Sequence, residues 1–219
     1  MANEYDDPSD LVAAGYDLVA RTYTEAAQES NETRERYTRL LVGRLPEGGD
    51  VLDLGCGSGV PTTRALAESF AVTGVEISSV QLGRAREAIP NARFVLADMS
   101  RLELEEASYD GVVALYSIIH VPRDRQRSLL ESIYSWLRPG GVFVASLASK
   151  GSEAWVEDDF HGAPMYWSSF DAATNERMVR DVGFEIESAD LITDVFDDEE
   201  ETFLWIVAVR PESGQTSQP

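Results

Sequence analysis

From Asp50 onward the chain alternates short apolar runs with stretches whose apolar positions recur at helical spacing. That rhythm predicts parallel strands joined by crossover helices lying on the faces of one sheet. Strands are expected over 50–54, 71–76, 92–96, 109–115 and 142–147. Helices are expected over 61–69, 79–88 and 123–137, the last stopped by Pro139-Gly140-Gly141. A loop over 98–108 replaces most of one crossover helix. Beyond Leu147 the rhythm breaks into an irregular stretch holding Tyr166, Trp167 and Phe170, and a helix follows over 171–181 with Asp171 or Thr174 as its cap. Two last strands, 184–193 and 202–209, flank an acidic turn at 194–201 and read as an antiparallel pair. Two helices, 11–23 and 31–45, precede the first strand and are free to cover the sheet. The expected fold is therefore a doubly wound α/β domain with a mostly parallel seven-stranded sheet, a C-terminal antiparallel hairpin and N-terminal lid helices.

A length of 219 residues suits one such domain. It divides into cap helices (1–46), a core (50–147), an insertion (148–170), a last helix with its strands (171–210) and a polar tail (211–219) expected to be disordered. No apolar run is long enough to cross a membrane and the N-terminus is acidic and polar, so neither a membrane nor a signal peptide is expected and the reading is cytoplasmic. The single cysteine, Cys56, forms no internal disulfide.

Charge changes the picture further. With 39 acidic against 18 basic residues the formal net charge is −21, a field that opposes a phosphate backbone and disfavours nucleic acid as a partner. Every basic residue but Lys150 is an arginine. Such a surface suits concentrated salt, and a salt-accumulating halophile is one expected source, an arginine-biased lineage the other. Monomer and homodimer remain equal expectations.

The chemistry gathers at the ends of the strands. Leu54 is followed by Gly55, Gly57 and Gly59 and then by a helix opened by Pro61, a tight turn that brings backbone close to a ligand. A dinucleotide fingerprint needs its third glycine one position later, where Val60 stands. Asp53, just before the turn, would repel a pyrophosphate and welcome an ammonium group. Glu76 ends the second strand, where an acid accepts from ribose hydroxyls, and Asp98 follows the third, placed for an adenine amino group with the Met99 N–H beside it. These acids favour an adenosine ligand that carries positive charge and no phosphate, as S-adenosylmethionine does.

In order and spacing these residues resemble those of the class I, Rossmann-like S-adenosylmethionine-dependent methyltransferases of small-molecule type. Val51–Gly59 is similar to their glycine-rich first motif, Val75-Glu-Ile-Ser78 to the acid after strand two, Ala97-Asp-Met-Ser100 to the adenine motif, and Leu137-Arg-Pro-Gly-Gly-Val-Phe143 to the turn into strand five. The resemblance covers 50–147 and extends to the closing hairpin. It implies that Tyr23, Asp53, Gly55, Cys56, Gly57, Glu76, Ile77, Asp98, Met99, Leu115 and Tyr116 hold S-adenosylmethionine, with Tyr23 as the lid aromatic on a helix 16–23 like one that many members carry, and with S-adenosylhomocysteine as product. Tyr16, Val19, Ala20 and Tyr23 also form an apolar stripe that could simply pack on the body.

Methyl transfer from a sulfonium needs alignment above all, and a base only where the acceptor must lose a proton. His120, after the fourth strand in Tyr116-Ser-Ile-Ile-His-Val-Pro122, is the candidate general base, or else orders its own loop. Tyr16, His120, Trp155, His161, Tyr166 and Trp167 are expected at the acceptor, a small molecule. Glu157, Asp158, Asp159 and His161 read as surface rather than a metal site, and no metal is expected. Two alternatives stand beside a methyltransferase. One is a non-catalytic protein that binds S-adenosylmethionine as a sensor or partner; the other, disfavoured by the glycine spacing, is a nicotinamide-dependent oxidoreductase.

Overall fold

The computed structural model describes residues 7–27, 32–196 and 199–212, the side chains of 22–27 excepted. Helices α1 (Pro8–Ala27) and α2 (Glu32–Val42) lead into β1 (Asp50–Leu54), α3 (Thr62–Leu66), β2 (Ala71–Glu76), α4 (Ser79–Ala88) and β3 (Arg93–Leu96). After a single 3-10 turn, Met99–Arg101, come β4 (Tyr109–Ala114), a second such turn at Ile118–His120, α5 (Arg123–Trp136) and β5 (Leu137–Ala148). The chain closes with β6 (Ser152–Phe160), β7 (Ala163–Ser169), α6 (Ala172–Val182), β8 (Glu185–Phe196) and β9 (Glu199–Val209).

Seven strands form one sheet in the order β3-β2-β1-β4-β5-β9-β8, parallel from β3 to β5 and antiparallel where β9 joins β5 and β8. Alternation along the strands sends Leu52, Leu54, Val112, Ala114 and Phe143 into one core with Leu129, Ile133 and Trp136 of α5. Val51, Val72, Val113 and Val144 face the other way, into a core with Tyr37, Leu41 and Leu66. Chain order reverses at β1, between β2 and β4, and a crevice opens beyond their C-terminal ends.

Helix α1 begins before and ends after the expected 11–23, α2 ends at Val42 rather than 45, and four further differences bear on the fold. The region expected to be irregular is an antiparallel hairpin, β6–β7, in which Phe160 pairs with Ala163 across His161 and Gly162. Both turn residues have positive φ (51° and 98°), the backbone that matches a two-residue turn to the twist of its strands. Helix α5 ends at Trp136, because Leu137 already pairs with Tyr109 and the following glycines bond to the end of β9 (Gly140 N–H to Arg210 O, 2.7 Å; Arg210 N–H to Gly141 O, 2.9 Å). Helix α3 is shorter than expected and closes as the Ala67 N–H bonds to Thr63 O. The acidic turn contracts, since Asp194↔Glu201 and Phe196↔Glu199 are already strand pairs. Residue 31, at the head of the second expected helix, and residues 213–219 of the expected tail lie outside the described residues.

Candidate active site

The loop after β1 is shaped by what its glycines permit. Gly55 has φ +76°, and a Cβ there would lie 2.4 Å from the Ser117 Cβ, so only glycine lets the loops after β1 and β4 meet. The Gly55 and Cys56 N–H groups bond to Val75 O at 2.8 and 3.0 Å. Glu76, at the end of β2, then fixes the rest: one carboxylate oxygen accepts from the Gly57 N–H (2.8 Å), the other from Ile77 N–H (2.9 Å) and Ser78 N–H (2.8 Å). Burial pushes its carboxyl pKa upward against these three donors.

A cavity open to solvent lies on this loop. Gly55, Gly57, Glu76, Ile77, Asp98, Met99, Leu115 and Tyr116 line it, as do Tyr16 and His120. Asp98 caps the Met99–Arg101 turn through one oxygen, which accepts from the Ser100 N–H and Oγ–H at 2.8 Å each. Its other oxygen, Oδ2, is buried without a hydrogen-bond partner, with Arg101 and Arg125 nitrogens 3.7 and 3.9 Å away. Lys and Arg are absent from the cavity lining among the described residues.

Asp53 and Cys56 do not line the cavity. Asp53 is 3% exposed and accepts from Thr63 Oγ1 at 2.6 Å, with burial pushing its pKa up to about 6. Alternation along β1 puts it on the Val51 face, beneath the loop. The thiol of Cys56 faces Gly74, and burial raises its pKa, so it is a space-filler and not a nucleophile.

Helix α1 roofs the cavity. Gly15 lets it lie against β7, since a Cβ there would meet Pro164 O at 2.7 Å. Asp17 accepts from Ser78 Oγ (2.6 Å) and Val80 N–H (3.1 Å) at the start of α4. At the other end Asp7 is held by Arg125 at 2.8 Å and by Arg101, and the Arg125 hydrogen bond draws its carboxyl pKa well below the usual range. Tyr23 lies in the last turns of α1, where its side chain falls outside the described residues; the aromatic of the helix that lines the cavity among the described side chains is Tyr16.

His120 is 7% exposed and bonded through both ring nitrogens. Nδ1 is 2.9 Å from Tyr166 O, a carbonyl that can only accept, so Nδ1 carries the proton. Nε2 therefore accepts from the Tyr16 hydroxyl at 2.8 Å. Burial lowers the His120 pKa to about 4, and the imidazole is neutral. Its bonds run to β7 and α1, not to its own loop. The Trp167 ring lies tilted against His120 with centroids 4.3 Å apart, and its indole N–H donates to Glu157. Trp155 stacks on Trp167 at 6.4 Å and is 47% exposed, and His161 sits in the hairpin turn. Tyr166, Trp167, Trp155 and His161 thus stand behind or beyond the cavity wall. Among the described residues no three acidic, histidine or cysteine side chains are gathered as metal ligands.

Sequence reasoning missed Ser9 and Val12 of α1, and Gln81, Ser117 and Val121, all of which line the cavity. Ser117 and Val121 left a trace, one position past Tyr116 and His120; the α1 residues carry no local signal of what they cover.

Residues 51–141 match the family described as a methyltransferase domain. The trans-aconitate 2-methyltransferase of Variovorax paradoxus is 34% identical over 128 residues, 57% of this chain and 48% of that protein. The 27-O-demethylrifamycin SV methyltransferase of Amycolatopsis mediterranei is 36% identical over 148 residues, 63% of this chain and 54% of that protein. The chain spans about half the length of these curated relatives. The solved DhpI–SAH complex has the same fold, with a TM-score of 0.73 over 94% of this chain and 97% of that one at 22% identity.

Proposed function

Because residues 51–141 match a methyltransferase domain, we propose that the chain is a class I S-adenosylmethionine-dependent methyltransferase that catalyses in-line methyl transfer to a small-molecule acceptor. The observation that carries this reading is the pair of acids lining the cavity, Glu76 and Asp98, beside a glycine loop in which a Cβ at Gly57 would meet nothing within 4 Å. Those groups fit an adenosine: of the roughly four lone-pair positions of the Glu76 carboxylate three are taken by N–H groups, which leaves one for a ribose hydroxyl, and the Asp98 carboxylate lines the same cavity for the adenine amino group. When bound, S-adenosylmethionine would supply a methyl group on a positively charged sulfur, already activated for displacement. The chain's own part is to orient that group and to exclude water.

The roof supports a small acceptor: Ser9, Val12 and Tyr16 of helix α1 line the cavity, which suits a molecule that enters it whole. The charge of −21 weighs against nucleic acid as acceptor, and no helix among the described residues is long and apolar enough to cross a membrane.

Calorimetric titration tests the reading. S-adenosylhomocysteine should bind, and NAD should not. Glu76→Gln and Asp98→Asn should each weaken that binding about tenfold or more, the worth of a hydrogen bond to a charged group. Preference for the dinucleotide, or no binding of S-adenosylhomocysteine, would overturn it.

A further inference from the structure

His120 lines the cavity, but both of its ring nitrogens are already engaged. Its Nδ1–H is taken by the Tyr166 carbonyl and its Nε2 by the Tyr16 hydroxyl, at 2.9 and 2.8 Å, while the tilted Trp167 ring covers one face of the imidazole. Tyr16 lines the cavity with its ring edge against both His120 and Phe160. A phenolic oxygen that donates to an imidazole still has lone pairs with which to accept. The hydrogen-bond direction is thus set from the cavity through Tyr16 to His120 and on to the backbone of β7.

We propose that Tyr16 takes the proton of a hydroxyl-bearing acceptor, an alcohol or phenol, and relays it to His120, an inference that rests on the methyltransferase reading above. As the acceptor oxygen bonds to the methyl carbon, the carbon–sulfur bond breaks with its electron pair left on sulfur. The acceptor's proton passes to Tyr16 Oη while the phenol proton passes to His120 Nε2. The imidazolium so formed keeps both N–H bonds, to Tyr166 O and to Tyr16 Oη, and gives its proton to water once the products leave. Burial holds His120 neutral at rest, and its protonation coincides with loss of the sulfonium charge, so the total charge within the cavity is unchanged. A carboxylate acceptor needs no such relay. It would also find no lysine or arginine in the cavity lining among the described residues.

The chain has two histidines, so nitrogen-15 spectra of histidine-labelled protein contain two rings, and His120→Gln identifies one of them. The His120 ring should show a protonated Nδ1 and a hydrogen-bonded, unprotonated Nε2, and Tyr16→Phe should move only the Nε2 signal. Methylation is then measured on a panel of phenols, alcohols and carboxylates. Tyr16→Phe and His120→Gln should lower the rate on hydroxyl acceptors about a hundredfold while S-adenosylhomocysteine affinity is kept. An Nε2 signal unmoved in Tyr16→Phe, a near-normal Tyr16→Phe rate, or a wild type that methylates no hydroxyl acceptor would each overturn the relay. Failure of the broader reading looks different: S-adenosylhomocysteine would not bind, whatever the His120 spectrum shows.

Discussion

Asp53 and His120 are both buried beside the glycine loop, and burial drives them in opposite directions, to about 6 from 3.8 and to about 4 from 6.5. Between pH 3.8 and 6 the folded protein binds more protons at Asp53 than the unfolded chain does, so the stability this group contributes is present in acid and lost as pH rises through 6. His120 has the reverse sign: the unfolded chain binds more protons between pH 4 and 6.5, and stability is lost as pH falls through that window. Each shift corresponds to about 3 kcal/mol. Asp53→Asn keeps an acceptor for Thr63 Oγ1 and removes the first cost, so its advantage over wild type should grow from nothing near pH 4 to about 3 kcal/mol at pH 7 by urea denaturation. An Asp53→Asn protein less stable than wild type at pH 7 would refute this account of the residue. The same residues mark how much of the site was legible. Glu76 and Asp98, expected at the cofactor, line the cavity, because an acid at a parallel strand's C-terminal end has one crevice to face. Asp53 was read as facing the ligand, yet alternation with Leu52 and Leu54 already turned it to the opposite face. The Tyr16–His120 bond joins residues 104 positions apart, and no local pattern announces it.

At the scale of elements, β1, β2 and α4 have the bounds their periodicity predicts, since apolar alternation and the Ser78 cap are strong local signals. The β6–β7 hairpin escaped because its acidic run hides the alternation and its turn uses His161, not the usual Asn or Asp, at positive φ. Helix α1 was readable as amphipathic, but its docking rests on pairs that only the fold creates, Asp7 with Arg125 and Arg101, and Asp17 with the start of α4. The second pair places a carboxylate at a helix N-terminus, a favourable charge for the dipole. Asp7→Ala combined with Asp17→Ala should therefore release α1 without unfolding the sheet. Amide exchange over residues 8–21 should rise well above wild type, exchange in β1, β4 and β5 should stay unchanged, and S-adenosylhomocysteine should dissociate faster. Unaltered exchange over 8–21 would mean that Leu11, Val12, Val19 and Ala20, all buried, hold the roof by packing alone.

Charge acts on the whole molecule. A net −21 on 219 residues repels itself, and the fold crowds it further by pairing Asp194 with Glu201 across β8 and β9 and by gathering Glu157, Asp158 and Asp159 on β6. The Debye length shrinks from about 10 Å at 0.1 M salt to about 3 Å at 1 M, so molar salt removes most of this repulsion while leaving the apolar cores intact. We propose that the chain is built for concentrated salt. Its melting temperature should then rise by on the order of 10 °C between dilute buffer and molar potassium chloride, equivalent to about 3 kcal/mol for a chain of this size. Full stability in dilute buffer, or a fall with salt, would contradict it. The roof should respond with the opposite sign, because Asp7–Arg101 and Asp7–Arg125 are attractive pairs near the surface that screening weakens. Exchange over residues 8–21 should quicken in the same salt that raises the melting temperature. A roof that tightens together with the body would show that repulsion from the surrounding acids, not the Asp7 pairs, governs α1. Opposed slopes would mean that salt holds the sheet together while it loosens access to the cavity.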